Sequence, residues 1–220
     1  MSPERPIRPA RVLSLMLGIT LAGLGIDLLM HDSVSEIFKE GHSIEALSVV
    51  ILVVAAFWSF GNRGITGREW HIPVILILMA LRELDIDKRL TSEGVLQLRL
   101  YTGTAPLWEK AAGFAVVVLI LVCLIRLAWL NLPQWLRGLQ QGAGSAWLAT
   151  GAALLIVIAK SMDGLDRKLA PLGMTLTTEM VTMAGRLEEM LELAAYIMQA
   201  QAAVYVARPH NLARRRDPAA

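Results

Sequence analysis

The sequence is short of most features that mark a soluble enzyme. Its 220 residues hold one cysteine, Cys123. No internal disulfide can form, and a thiol in the middle of an apolar run reads as a packing residue. Charged residues make up 18% of the chain, against roughly 25% in soluble domains. The phosphate loop GxxxxGKS/T, the zinc-protease pattern HExxH and the nucleophile elbow GxSxG are all missing. Alternation of period two is also missing, which argues against a transmembrane β-barrel. A net charge of +2 by itself points to neither a nucleic-acid nor an acidic partner, and no nucleic acid is expected.

What the sequence has is apolar surface. AVILMFWYC account for 55% of it and the mean hydropathy is +0.52. A soluble fold of this size has too much surface to hide that much apolar material. The apolar residues also come in runs near the roughly 20 residues needed to cross the hydrocarbon core of a bilayer. Six are expected: residues 12–30, 44–60, 71–87, 112–132, 146–162 and 187–207. The third is the weakest, a ten-residue run at Ile72–Leu81 followed by RELDID, and a re-entrant segment is the alternative there. The apolar part of the sixth is Met190–Ala207, entered through a charged turn at Arg186–Glu189. Pro133 is expected to close the fourth helix, and Gly142–Gly144 to start the fifth. Lys88–Lys110 reads as a short surface helix plus a loop. The first run follows Arg5, Arg8 and Arg11 but is too long for a signal peptide and has no A-x-A site, so it reads as an uncleaved span. Its small residues Ser14, Gly18, Ala22 and Gly25 suggest a close-packing face for another helix. The fold class is therefore all-α, a single integral-membrane domain of about six spans.

Orientation follows from Arg and Lys, which favour cytoplasmic loops. The N-terminal tail carries three Arg and the C-terminal tail carries Arg208, Arg214, Arg215 and Arg216. Both termini are expected in the cytoplasm, which six spans satisfy. On that topology the inner side holds eleven Arg against three acids, a balance of +8, and the outer side ten basic residues against sixteen acids, a balance of −6. The near-zero net charge is a cancellation between two polarised faces.

The outer acids gather at helix ends. Asp27 sits one turn inside an apolar run, on one face with Thr20, Gly23 and His31. A charge at the centre of a membrane helix costs roughly 2.5–3.5 kcal/mol, so such a residue implies a partner or a function. Glu188, Glu192, Tyr196 and Gln199 form a helical stripe, and Glu83 and Asp87 are one turn apart. Packing roles compete with functional ones here. Lys160, Asp163 and Arg167 share a face and would make a local salt-bridge ladder. Arg126 lies where it can snorkel, and His71 and His210 belong to the inner surface. Carboxylates with one or two His suit a divalent cation, which could activate water against a lipid-embedded substrate. In that reading Asp27, Glu83 and Glu192 are the catalytic candidates, and His31, His42, Asp87 and Glu188 the metal-ligand candidates. A proton- or cation-coupled transporter and a non-enzymatic membrane subunit or assembly partner are the alternatives. All three have the lipid bilayer as a partner.

The segments Arg82–Leu90 (RELDIDKRL), Ser161–Leu169 (SMDGLDRKL) and Leu187–Leu193 (LEEMLEL) resemble the polar signatures of uncharacterised bacterial inner-membrane protein families. That resemblance implies a multi-pass protein of a bacterial inner membrane and no particular activity. The outer acids and His also resemble, by distant analogy, the alkaline-ceramidase-type membrane hydrolases, whose zinc is held by three His. Here only His31 and His42 fall on the outer side, and an HxxxH pair is missing. The run DGLDRKLAPLG departs in spacing from the motif of CDP-alcohol phosphatidyltransferases and lacks its closing DxxxD.

Overall fold

The structure, a computed structural model, describes residues 43–63 and 68–206, with isolated helical positions at 14, 18, 20–22 and 25 before them. Asp27, His31, His42 and His210 lie outside the described residues. Among those described there is no strand, and the chain is all-α. The helices are α1 (Ser43–Arg63), α2 (His71–Glu83), α3 (Ile86–Leu90), α4 (Leu98–Thr102), α5 (Leu107–Gln140), α6 (Gly144–Met162), α7 (Leu165–Leu169) and α8 (Thr178–Val206), with a 3-10 turn at Ala170–Leu172 after α7.

α1 sits between α2 and α8, and α8 packs along α6 in the most extensive helix contact of the molecule. α5 touches α2 and α6. The core lies among α1, α2 and α8, where Ile51, Leu52, Ala55 and Ala56 are fully buried against Leu76, Ala80, Leu193 and Ala200. Small residues set the spacing between α6 and α8. Ala152 and Ala159 on α6, and Ala195 and Ala200 on α8, are buried, and any side chain at Gly151 would run into Met198. Small contact residues let two helix backbones approach closely.

Several boundaries differ from expectation. Pro133 does not close the fourth helix; α5 runs through it to Gln140. A proline costs its own N–H bond to the preceding turn, and the flanking turns carry the helix on. The charged stretch Arg186–Glu189 is not a turn either, because α8 starts at Thr178 and contains it. α2 ends at Glu83, four residues short of the expected limit. Asp85 then adopts a left-handed conformation (φ 48°) that separates α2 from α3. Asp is one of the few residues with a side chain that tolerates this region. The small-residue stripe of the first run is exposed at Ser14, Gly18 and Ala22, while Thr20 is buried, so the inward face is the one that carries Thr20. The expectation of a short helix and loop between Lys88 and Lys110 is met by α4 and its flanks.

Among the described residues, α5 and α6 are the two helices long and apolar enough to cross a membrane. The most apolar window of α5 has a mean hydropathy of 2.7, and only 11% of it is buried. Phe114, Leu121, Ile125 and Trp129 are more than half exposed. The corresponding window of α6 is 17% buried. The core helix of a soluble protein would be mostly buried, and neither helix is.

Candidate functional site

The polar stripe of α8 meets the last turns of α2 and α6. Lys160, in the last turn of α6, donates from Nζ to Glu188 Oε1 at 3.1 Å and lies 2.5 Å from Glu192 Oε1. One turn further along α8, the Tyr196 hydroxyl donates to Glu83 Oε1 at 2.9 Å. Arg82 Nη1 reaches the same carboxylate oxygen at 3.2 Å. Side-chain exposure falls from 55% at Arg82 and 35% at Lys160 to 11% at Glu192 and 6% at Glu83. The nest therefore has two cations at its mouth and carboxylates at its base.

Each member is placed by a local cause. Glu188, Glu192 and Tyr196 repeat every four residues and share a helix face. Lys160 reaches that face because the alanine and glycine contacts bring α6 against α8. A cation in a last helical turn also meets the partial negative charge of the helix end. Lys168 Nζ donates to the Lys160 carbonyl at 2.7 Å, which satisfies one of the acceptors a helix end leaves open. Glu83 is the last residue of α2, where its charge opposes the helix dipole, and Arg82 and Tyr196 offset that. Below the nest Gln199 Nε2 donates to Met79 Sδ at 3.4 Å. Tyr196 itself belongs to the core cluster with Ile51, Leu52, Leu76 and Ala203, so the nest rests on an apolar floor.

Of the sequence candidates, Glu83, Glu188 and Glu192 come together. Asp87 does not join them. It lies past the break at Asp85, on α3, where its carbonyl accepts from Thr91 N and Oγ1 at 2.9 and 2.6 Å and its carboxylate lies beside Gly94. Among the described residues no three His, Cys, Asp or Glu side chains converge in a way that could hold a metal ion. Lys160 departs from the expected ladder with Asp163 and Arg167, because its ion pairs run across to α8. The signal for it was in the sequence: a lone cation at the end of an apolar run demands a partner.

Three further polar contacts bear on the helix ends. His71 is not a surface residue but fully buried, and its Nε2 donates to Asn131 Oδ1 at 2.8 Å. Arg126 Nη2 donates to the Arg68 carbonyl at 2.8 Å, and its guanidinium lies 5.3 Å from the centre of the Trp70 ring. Such a cation–π contact further favours that position. Glu109, at the start of α5, is buried and accepts from both Ser92 N and Oγ at 2.8 Å; its lone acid before a long apolar run was the sequence cue for it. Outside the long helices Lys88 pairs with Asp85 at 2.8 Å, and this hydrogen bond raises the lysine above its ordinary pKa.

Compared with models of known families, with curated proteins and with solved structures, the chain has no match.

Proposed function

We propose that the chain is a multi-pass protein of a bacterial inner membrane, with about six spans and both termini in the cytoplasm, and that it works as a non-enzymatic membrane subunit or assembly partner. The observation that carries the membrane reading is α5, whose most apolar window has a mean hydropathy of 2.7 and is 11% buried. An apolar surface of that size is stable only against lipid or another apolar surface. At about 1.5 Å per residue, the 34 residues of α5 span about 51 Å, beyond the roughly 30 Å hydrocarbon core. Its polar inner end, from Asn131 to Gln140, then extends into the interface.

Tryptophans lie at both ends of α5. Trp70 stacks with Arg126 and Trp135 reaches the start of α6 at one end, and Trp108 stands exposed at the other. Tryptophan belts of this kind mark membrane interfaces. Trp135 Nε1 donates to the Ala146 carbonyl and Thr150 Oγ1 at 3.2 and 3.1 Å, while Trp129 is 80% exposed.

The subunit reading draws on how the nest is filled. Lys160 already bridges the two α8 carboxylates that a cation would take, and Tyr196 and Arg82 occupy Glu83. The apolar floor argues against a conducting path. A metal-assisted hydrolase is the second reading; it draws on the grouping of Glu83, Glu188 and Glu192 around Lys160 and Tyr196, and would need these carboxylates to rearrange, since among the described residues no three of them are placed to hold a metal ion.

Two measurements separate these readings. The chain should stay in membranes washed with alkaline carbonate, and reporter fusions at Ala220 and within Gly94–Thr104 should report opposite sides. Release by carbonate, or the same side for both fusions, contradicts the topology. A stoichiometric divalent metal in purified protein, lost in Glu192→Gln, would replace the subunit reading with the hydrolase.

A further inference from the structure

Between α3 and α5 the chain folds back on itself as a small cap. The Ser92 N–H and hydroxyl both donate to Glu109 at 2.8 Å. The Tyr101 hydroxyl donates to the Val95 carbonyl at 2.6 Å, and Lys110 Nζ to the Gly103 carbonyl at 2.8 Å. Glu93 pairs with Arg99 at 3.3 Å. Glu93, Arg99, Glu109 and Lys110 are the charged residues from Ser92 to Lys110, so each charge has its partner inside the cap. Val95 and Leu100 fill its inside. Its other large apolar side chains point away: Leu96, Leu98, Leu107 and Trp108 are 62% to 82% exposed. A loop in water keeps its charges for the solvent and its leucines for the core. This cap does the reverse.

The cap also sits at the depth where the apolar part of α5 begins. A Cβ at Gly113 would lie 2.9 Å from Leu100 Cδ2 and 2.9 Å from the Tyr101 hydroxyl. The absence of a side chain there lets α4 press against the second turn of α5, at the head of the apolar run 112–132. Leu96 borders the same recess as Ala112 and Val116. The exposed leucines are thus continuous with the bare face of α5 rather than raised above it.

We infer that the cap lies in the headgroup–acyl boundary of the outer leaflet, with Leu96, Leu98, Leu107 and Trp108 in contact with lipid. The inference rests on the membrane reading of α5 above. Two observations select a lipid surface as the partner. The apolar patch continues the face that α5 turns to the acyl chains. The charges and hydroxyls of the cap satisfy one another, as they must where water is scarce. Trp108, at the second position of α5, then stands at the boundary, where tryptophan is enriched.

The test uses the full chain in vesicles of phosphatidylcholine and phosphatidylglycerol. Leu96→Cys, Leu98→Cys and Val118→Cys, each in a Cys123→Ala background, carry an environment-sensitive fluorophore. Leu96 and Leu98 are exposed, so cysteines there disturb no packing. The quenchers are lipids spin-labelled near the headgroup or deep in the acyl chain, and iodide on both faces of the vesicle. At positions 96 and 98 the shallow lipid label should quench about twofold more than iodide or the deep label, as for a side chain seated about 5–10 Å into the boundary. At position 118 the deep label should dominate. Iodide quenching without lipid quenching at 96 and 98 would overturn the inference, and so would shielding from both, which marks cover by a second copy or another protein. In either case acyl quenching at 118 leaves the membrane reading standing. Loss of acyl quenching at 118 would instead overturn that reading and the inference with it.

Discussion

α5 and α8 are the longest of the described helices, 34 and 29 residues, and they meet their surroundings in opposite ways. α8 is flanked by α1 and α6, carries the acidic stripe, and buries Glu192, Tyr196 and Ala200. α5 is far more apolar and yet mostly uncovered. In water the order would be reversed, with the apolar helix inside and the charged one outside. The inversion fits the proposed lipid surroundings, in which charges turn inward to find one another and aliphatic side chains need no protein partner.

The largest effect expected from breaking this contrast is in the core of the packed half. Leu52→Ala removes a fully buried side chain and should cost about 2–5 kcal/mol, read as a lower unfolding temperature in detergent. Lys160→Met leaves Glu188 and Glu192 facing each other without their cation. A fully buried pair loses about 3–5 kcal/mol when one partner goes. Lys160 keeps about a third of its surface exposed, so about 2–3 kcal/mol is expected after allowance for solvent screening. Lys160→Arg should restore most of it, which a loss of packing alone would not explain.

Hydropathy made the helical class and the positions of α1, α5 and α6 legible, because long apolar runs need no knowledge of neighbours. Boundaries were harder. Pro133 looks like a stop only if its neighbours cannot sustain the helix, and Arg186–Glu189 looks like a turn only if its charges face water. Both rest on tertiary surroundings that a linear reading lacks. The stripe of α8 was legible, as was the candidacy of Glu83, Glu188 and Glu192. Lys160 stood out as a cation in need of a partner, but its pairing with Glu188 and Glu192 was not legible, since nothing in the sequence says that Gly151 and its alanine neighbours bring α6 close enough for it to reach. Asp87 was grouped with Glu83 by helical spacing, and the left-handed Asp85 undid that spacing.

Smaller effects sharpen the comparison. Tyr196→Phe deletes one hydrogen bond to a carboxylate and should cost about 1.5 kcal/mol, at the low end for bonds to charged groups. Its partner Glu83 keeps Arg82. Least of all, Leu121→Ala on the bare face of α5 should change stability by no more than about 0.5 kcal/mol, although it removes the same atoms as Leu52→Ala. If the two leucine variants cost alike, α5 is covered by protein rather than lipid.

The placement of α5 across a bilayer is tested most directly by single cysteines in a Cys123→Ala background, at Lys110, Val118 and Gln140, probed with a membrane-impermeant maleimide on sealed vesicles of both orientations. Lys110→Cys should react only from the outer face and Gln140→Cys only from the inner face, while Val118→Cys should react from neither. Reaction of Val118→Cys from water, or of the two end positions from the same face, would contradict a transmembrane α5.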